Sequence, residues 1–275
     1  MMSAQTSSVF HYKTHYLLNA LMEGQHKSRR QGPGSEFYRK ASFLSEPNPA
    51  RLDLARSLVD PFETLYVKTF RQQSELDVVT LADGSHSMLN ADKANMLSDA
   101  VECISKSVFD ASDKSHSFLL TETITTKADQ TEWHSLIDDL AESDHSQTAS
   151  AFEQLYYEIP QQRSLIFVVS DFHWPEQQLQ SLLSKLSAHI VVPVVIWAEA
   201  DNKDYPLWRF IQVQDAESGE QHLLFTTPRQ KRQLTQAFTE RKAKLNNIFN
   251  VFGHRPLWLT DAAAAPQFNR YFLGE

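Results

Sequence analysis

A chain of 275 residues can bury a full core, as one large domain or two small ones. Hydrophobic residues make up 41% and charged residues 22%, the balance of a soluble globular protein. The formal net charge of −8, with a pI near 5.8, argues against a general nucleic-acid or anionic-membrane binder, since both need a positive field. Cys103 is the one cysteine, so no intramolecular disulfide can form and a reduced compartment is implied. Its setting, Ala100-Val101-Glu102-Cys103-Ile104, predicts a buried, inert thiol rather than a nucleophile. No apolar run approaches the ~20 residues of a membrane span. Met1 to Phe10 lacks the charged-then-apolar pattern of a signal peptide. The expectation is a cytoplasmic protein with no membrane span.

Taken in order, Val9 to Met22 carries Phe10, Tyr12, Tyr16, Leu17, Leu18 and Leu21 and reads as an amphipathic helix stopped by Gly24. Gln25 to Gly34 is a basic loop punctuated by Gly and Pro. It reads as a solvated loop, or more sharply as a contact for an anion or an acidic partner. Ser35 to Asp60 is irregular, with a short helix in Ala50 to Leu58, and Leu65 to Phe70 alternates like a strand. The expected division is an N-terminal helix and lead-in over 1–70 and a main domain over 71–275. Leu76 to Ala82 is an apolar strand, and a helical pattern runs from Lys93 to Val108. Phe118 to Ile124 reads as one strand, and Thr131 to Leu140 and Ala149 to Tyr157 as helices. Ser164 to Ser170 and Ile190 to Trp197 are apolar and rich in β-branched residues, like strands buried on both faces of a parallel sheet. Pro193 inside the second calls for a bulge or an edge position. Gln177 to Leu186 is a helix between them. Past Asp201 the alternation stops. Phe210 to Val213 and His222 to Phe225 flank Asp215-Ala216-Glu217-Ser218-Gly219, a hairpin signature. Arg229 to Phe249 is a long helix whose Lys231-Arg232 and Arg241-Lys242 belong on its wet side. A short strand at Trp258 and a helix over Ala262 to Tyr271 end the chain. Alternating strands and helices mean an α/β sheet with helices on both faces. Ligands of such sheets bind beyond the carboxyl ends of the strands, where Asp83 and Asp171 both fall.

Asp83-Gly84-Ser85-His86-Ser87 places a carboxylate and two hydroxyls at alternate positions where a buried strand turns into a helix. Thr148, opening a helix, and Asp171, following a strand, are the candidates to complete an oxygen-ligand set for magnesium. Two carboxylates and three hydroxyls leave a divalent ion short of negative charge. An open position would then attract a carboxylate from a second molecule. Other readings stay open at this point. Ser85, Ser87 and Thr148 could be helix caps. Asp83 could be the acceptor of a phosphoryl-receiving fold. A metal-dependent hydrolase or phosphatase would need a base, a nucleophile or a lysine beside the metal. His86, His134, His145 and His173 read as surface or loop-packing residues, with His86 turned away from the serines' point of convergence. Trp174 is either an interface anchor or a lid over the next helix. Asp138, Asp139, Glu142 and Asp144 read as a solvated acidic face.

The order Asp83, Ser85, Ser87, Thr148, Asp171 resembles the metal-ion-dependent adhesion site of von Willebrand factor type A (vWA) domains. Ser87-Met88 and Ser170-Asp171-Phe172 are similar to a narrower bacterial branch, a domain of unknown function often encoded beside MoxR-type AAA+ ATPases. Gly24 to Ser28, Gly32 to Phe37 and Asp215 to Gly219 extend the likeness over roughly Gly24 to Phe249. The chain departs from that branch where a Gly-Asp-Asp run and an Ile-Asp-Trp are usual; it has Glu46-Pro47-Asn48 and Leu52-Asp53-Leu54. The resemblance implies an α/β, vWA-like (Rossmann-type) three-layer sandwich with a mostly parallel sheet. It also implies a non-enzymatic module binding Mg²⁺, or Mn²⁺ or Ca²⁺ in its place, through those five residues. Its partner would be a protein that donates an acidic side chain, working with a MoxR-type ATPase. A scaffold whose site holds no metal is the duller alternative.

Overall fold

The computed structural model describes residues 9–14, 17, 36–44, 49, 52–60, 62, 64–71, 75–89, 91–127, 133–141, 150–153, 155, 158–197, 210–214, 221–225, 227–260 and 263–274. The chain divides into two compact units, Gln25–Glu75 and the remainder, Met1–Gly24 with Leu76–Glu275. Phe10, Tyr12 and Leu17 belong to the larger unit's core.

In the smaller unit, β1 (Glu36–Ser42) pairs antiparallel with β2 (Tyr66–Arg71), with an irregularity between Phe37 and Arg39. The short helix α1 (Leu54–Val59) is tied to β2 by Ser57. The Ser57 hydroxyl accepts the Tyr66 N–H at 2.9 Å and donates to the Asp53 carbonyl at 2.9 Å. β1 was read as irregular; its pairing partner lies some thirty residues away, which local pattern does not report.

The larger unit is built on a six-stranded sheet. Its strands are β3 (Asp77–Asp83), β4 (Lys114–Leu120), β5 (Ile124–Lys127), β6 (Leu165–Ser170), β7 (Ile190–Ile196) and β10 (Leu257–Leu259). They lie in the order β10-β7-β6-β3-β4-β5, all parallel except β5, which runs antiparallel to β4. The expected single strand over Phe118 to Ile124 is thus two strands. Thr121 turns the chain back by bonding Thr123 through both its N–H and its hydroxyl. A separate hairpin, β8 (Phe210–Gln214) and β9 (Gln221–Phe225), precedes the long helix. The helices of this unit are α2 (Ala91–Asp110), α3 (Trp133–Ala141), α4 (Glu176–Lys185), α5 (Pro228–Val251) and α6 (Ala264–Leu273). Helix α5 starts with a capping box between Thr227 and Gln230, with Pro228 in its first turn. Among the described residues, no helix is long and apolar enough to cross a membrane.

Side chains of β3 alternate between two apolar clusters. Val78 and Ala82 meet Leu97, Val101 and Ile104 of α2 with Phe268 of α6. Val79 and Leu81 meet Leu179 and Leu183 of α4 with Leu245 and Phe249 of α5. Both faces are covered, which is why β6 and β7 are nearly free of polar residues and β3, between its terminal aspartates, is apolar but for the buried Thr80. Pro193 lies in β7, an interior strand with an unbroken register to β6, so neither a bulge nor an edge position explains it. Alternate N–H groups of a parallel strand face opposite neighbours. Ile190 donates toward β6, to Ser164, and Trp197 toward β10, to Leu259. Pro193, in phase with Trp197, faces the β10 side, and the β10 ladder begins only at Val194. No donor is missed there.

The expected N-terminal helix is corrected in part. Residues 9–14 are not helical, and Phe10 and Tyr12, two apart, are both 1% exposed. That is the burial pattern of an extended segment. Cys103 is buried, and burial pushes its thiol up to about 12, which suits a core side chain.

Candidate metal centre

β3 connects through α2 to β4 on one side, and the chain later returns to lay β6 on its other side. The carboxyl ends of β3 and β6 therefore flank the point where the strand order reverses, the usual ligand crevice of an open α/β sheet. Asp83 ends β3 and Asp171 directly follows β6. Both are almost fully buried, at 0% and 1% exposure.

After Asp83 the chain does not turn away at once. The Gly84 N–H bonds the Leu120 carbonyl at 2.8 Å, continuing the β3–β4 ladder by one residue. A Cβ at position 84 would stand 2.7 Å from Thr121 Cγ2 and 3.2 Å from both Leu119 Cδ1 and the Leu120 oxygen. Glycine is required here by space. We expect Gly84→Ala to cost about 1–3 kcal/mol by overpacking. Adding Thr121→Ser, which deletes the nearest methyl, should recover part of that loss in urea denaturation. No recovery would mean that the strand edge, not the methyl, sets the limit.

The Ser85 N–H donates to Asp83 Oδ1 at 2.9 Å and so folds the loop over the carboxylate. Ser85 precedes a 3-10 turn (His86–Met88), but its hydroxyl makes no capping bond. That hydroxyl lies 3.2 Å from Ser87 Oγ, and Ser87 Oγ donates to Asp171 Oδ1 at 3.3 Å. Met88 is fully buried, and its thioether accepts the Asp171 N–H at 3.2 Å, which locks the two loops together. Asp83, Ser85, Ser87 and Asp171 thus form one cluster. Thr148 lies outside the described residues, as do His145, Glu142 and Asp144. His86 is exposed, and His134 pairs with Glu102 at 3.0 Å, away from this cluster.

Four further side chains support the cluster: Ser170, Trp174, Lys93 and Arg241. Ser170 donates to Asp83 Oδ2 at 2.5 Å, and the Trp174 indole N–H donates to the same oxygen at 3.0 Å. Trp174 therefore faces inward, packed on Phe152 and Phe172. Lys93, from the first turn of α2, places its ammonium 2.9 Å from Asp171 Oδ2, with side-chain exposures of 10% and 1%. Phe172 adopts a left-handed backbone, φ 52°, and Arg241 of α5 donates to its carbonyl. This turn aims the His173 N–H at Asp171 Oδ1, at 3.1 Å. Arg241 is thus a prop for the site loop, not a wet-side residue; its Nε is buried with no hydrogen-bond partner. Two of the four carried a sequence signal. Ser170 lies inside the Ser170-Asp171-Phe172 motif. Lys93 stands four residues before Leu97 on the stripe that α2 buries, where a cation is out of place.

The two carboxyls differ. Burial, and then the charge of Asp171, push Asp83 up to about 6, against the hydrogen bonds from Ser170 and Ser85. Burial also acts to raise Asp171, but the Lys93 ammonium and His173 outweigh it and hold that carboxyl below the ordinary range. Among the described residues no three His, Cys, Asp or Glu side chains converge as a metal site. The donors available here are two carboxylates and two hydroxyls.

Residues 60–246 match the family model described as "Protein of unknown function DUF58". The chain is 30% identical over 103 residues to a Paracoccus denitrificans protein described as an uncharacterized protein in the moxR 3' region, covering 37% of this chain and 96% of that one. Among solved structures it is similar to BatB of Bacteroides thetaiotaomicron, a conserved hypothetical protein, at 13% identity and a TM-score of 0.35 over 72% of this chain and 98% of that one. An aerotolerance-related membrane protein of Bacteroides fragilis gives 15% identity and a TM-score of 0.36 over 73% and 100%. The family match takes in most of the chain, including every residue of the buried cluster, and the chain belongs to the DUF58 family.

Proposed function

We propose that this chain is a non-enzymatic, vWA-like protein-binding module with a metal-ion-dependent adhesion site, acting in the cytoplasm as an adaptor or assembly factor for a MoxR-type AAA+ ATPase. Asp83, Ser85, Ser87 and Asp171 hold the ion, with Thr148 as the fifth ligand. Mg²⁺ is the first choice, and Mn²⁺ or Ca²⁺ would fit the same oxygen donors. The reading is carried by the convergence of loops 84 residues apart on adjacent oxygens. Ligands 2.0–2.1 Å from one octahedral ion lie about 3 Å apart along an edge. The 3.2 and 3.3 Å separations from Ser87 Oγ to Ser85 Oγ and Asp171 Oδ1 are compatible with that edge. The bound cation would supply a Lewis-acidic position for a carboxylate of the partner. The MoxR link rests on family membership and on the relative from the moxR 3' region.

Calorimetric titration with Mg²⁺ should give one site in the wild type and none in Asp83→Ala. A purified MoxR-type ATPase should be retained on the immobilised chain with Mg²⁺ and released by EDTA. Equal Mg²⁺ binding by both proteins would remove the site, and retention unchanged by EDTA would remove its role in binding. A metal-dependent hydrolase is the second reading, and Lys93 is the observation that favours it. That lysine, however, is 8% exposed and spent on Asp171. Turnover of p-nitrophenyl phosphate with Mn²⁺, lost in Asp83→Ala, would reverse the choice.

A further inference from the structure

The cluster carries its own cation. Lys93 reaches Asp171 from α2 at 2.9 Å, with both side chains largely buried. An exposed lysine in such a position would be a surface ion pair of little consequence. This one is buried, and its charge is screened weakly. With Asp83 and Asp171 ionised, the two carboxylates and the lysine that touches one of them sum to minus one, the Arg241 guanidinium being held on the Phe172 carbonyl. The Ser85, Ser87 and Ser170 hydroxyls add none. A divalent ion would bring the total to plus one. Without Lys93 the same loading would end one charge lower, with less excess charge to attract an anion.

Resting on the metal reading above, we infer that Lys93 is a tethered counter-cation with two effects: it weakens the site's hold on a divalent ion, and it makes the loaded site cationic and selective for a carboxylate ligand. Its position on Asp171 Oδ2 leaves Oδ1 turned toward Ser87, so the lysine also orients the ligand it discharges. The class of partner that follows is one presenting an Asp or Glu side chain. A neutral hydroxyl or amide would gain nothing from the surplus charge.

The test compares the wild type with Lys93→Gln, which keeps a hydrogen-bond donor to Asp171 without charge, and Lys93→Arg, which keeps the charge. Mn²⁺ serves as the probe, followed by water-proton relaxation at pH 8, where imidazoles are ordinarily neutral. Sodium acetate is then titrated into the Mn²⁺-loaded proteins as the carboxylate surrogate. Lys93→Gln should bind Mn²⁺ at least about tenfold more tightly than wild type, because a nearby positive charge is gone from a low-dielectric site. It should also lose most of the acetate response. Lys93→Arg should stay close to wild type in both. Far-ultraviolet circular dichroism confirms that both variants are folded. Mn²⁺ binding by Lys93→Gln that is equal to or weaker than wild type, with Lys93→Arg also weakened, overturns the inference and leaves Lys93 as an orienting group. Absence of Mn²⁺ binding in all three proteins instead overturns the metal reading itself.

Discussion

Magnesium is expected to raise the thermal midpoint of the wild-type protein and to leave Asp83→Ala unmoved. An ion that binds the folded state alone stabilises it by about 2.7 kcal/mol at a hundred times its dissociation constant. For a chain of this size that is roughly 5–10 °C. The metal-free protein should show why it needs the ion. Asp83 is raised from 3.8 to about 6 in the folded state. The folded protein therefore holds this proton more tightly than the unfolded chain does. The contribution of Asp83 is fully present below its unfolded value and is lost as pH rises through about 6. The loss is on the order of 3 kcal/mol. Asp171, shifted the other way, loses its contribution only as pH falls below the ordinary carboxylate range. Between about 4 and 6 Asp83 dominates. With EDTA present, stability in urea should fall as pH rises through that window in the wild type, and the fall should shrink in Asp83→Ala. With Mg²⁺ present, the same rise in pH should strengthen binding, since the ion competes with the proton for the carboxylate. A wild-type midpoint indifferent to Mg²⁺ at pH 7.5 would sink the prediction.

The buried strands were the most legible part of the fold. β3, β6 and β7 are runs of apolar, β-branched residues because both of their faces are covered, and that needs no knowledge of what covers them. Asp83 and Asp171 were legible for a related reason: a carboxylate ending such a run must sit at the crevice. Short-range pattern failed where contacts are distant in sequence. β1 depends on β2, some thirty residues on, and was invisible. Phe118 to Ile124 looked continuous, and only the bonds between Thr121 and Thr123 break it. Arg241 sits among Lys242, Lys244 and Glu240 on α5 and reads as solvated; the Phe172 carbonyl it serves is 69 residues away. Lys93 opens the helical pattern of α2, and its signal is a cation standing on the stripe that the helix buries. Thr148 had its position before a helical pattern and its place in the resemblance to recommend it, and it lies outside the described residues.

Phe10→Ala should be among the most destabilising single substitutions in the chain. Phe10 is 1% exposed and lies in an extended segment. Its ring stacks on Phe268 at 4.3 Å and on Phe272 at 5.7 Å, both from α6, and meets Phe167 of β6 edge-on at 6.1 Å. Its N–H donates to Ser107 Oγ at 2.9 Å, which places the segment across α2. Two residues on, Tyr12 donates its hydroxyl to Asp113, and burial followed by that carboxylate holds the phenol well above its usual range. The neighbouring Lys13 pairs with the same Asp113 at 2.9 Å, so Asp113 anchors the segment just after Phe10. Truncating the ring removes its transfer free energy and leaves a cavity among rigid aromatics that cannot collapse into it, at a cost of about 3–5 kcal/mol. Phe10→Leu, which keeps most of the volume, should cost less than half of that. Urea denaturation of the two variants reads the difference directly. A loss below about 1 kcal/mol for Phe10→Ala would mean that the N-terminal segment is an accessory to the sheet and not part of its core.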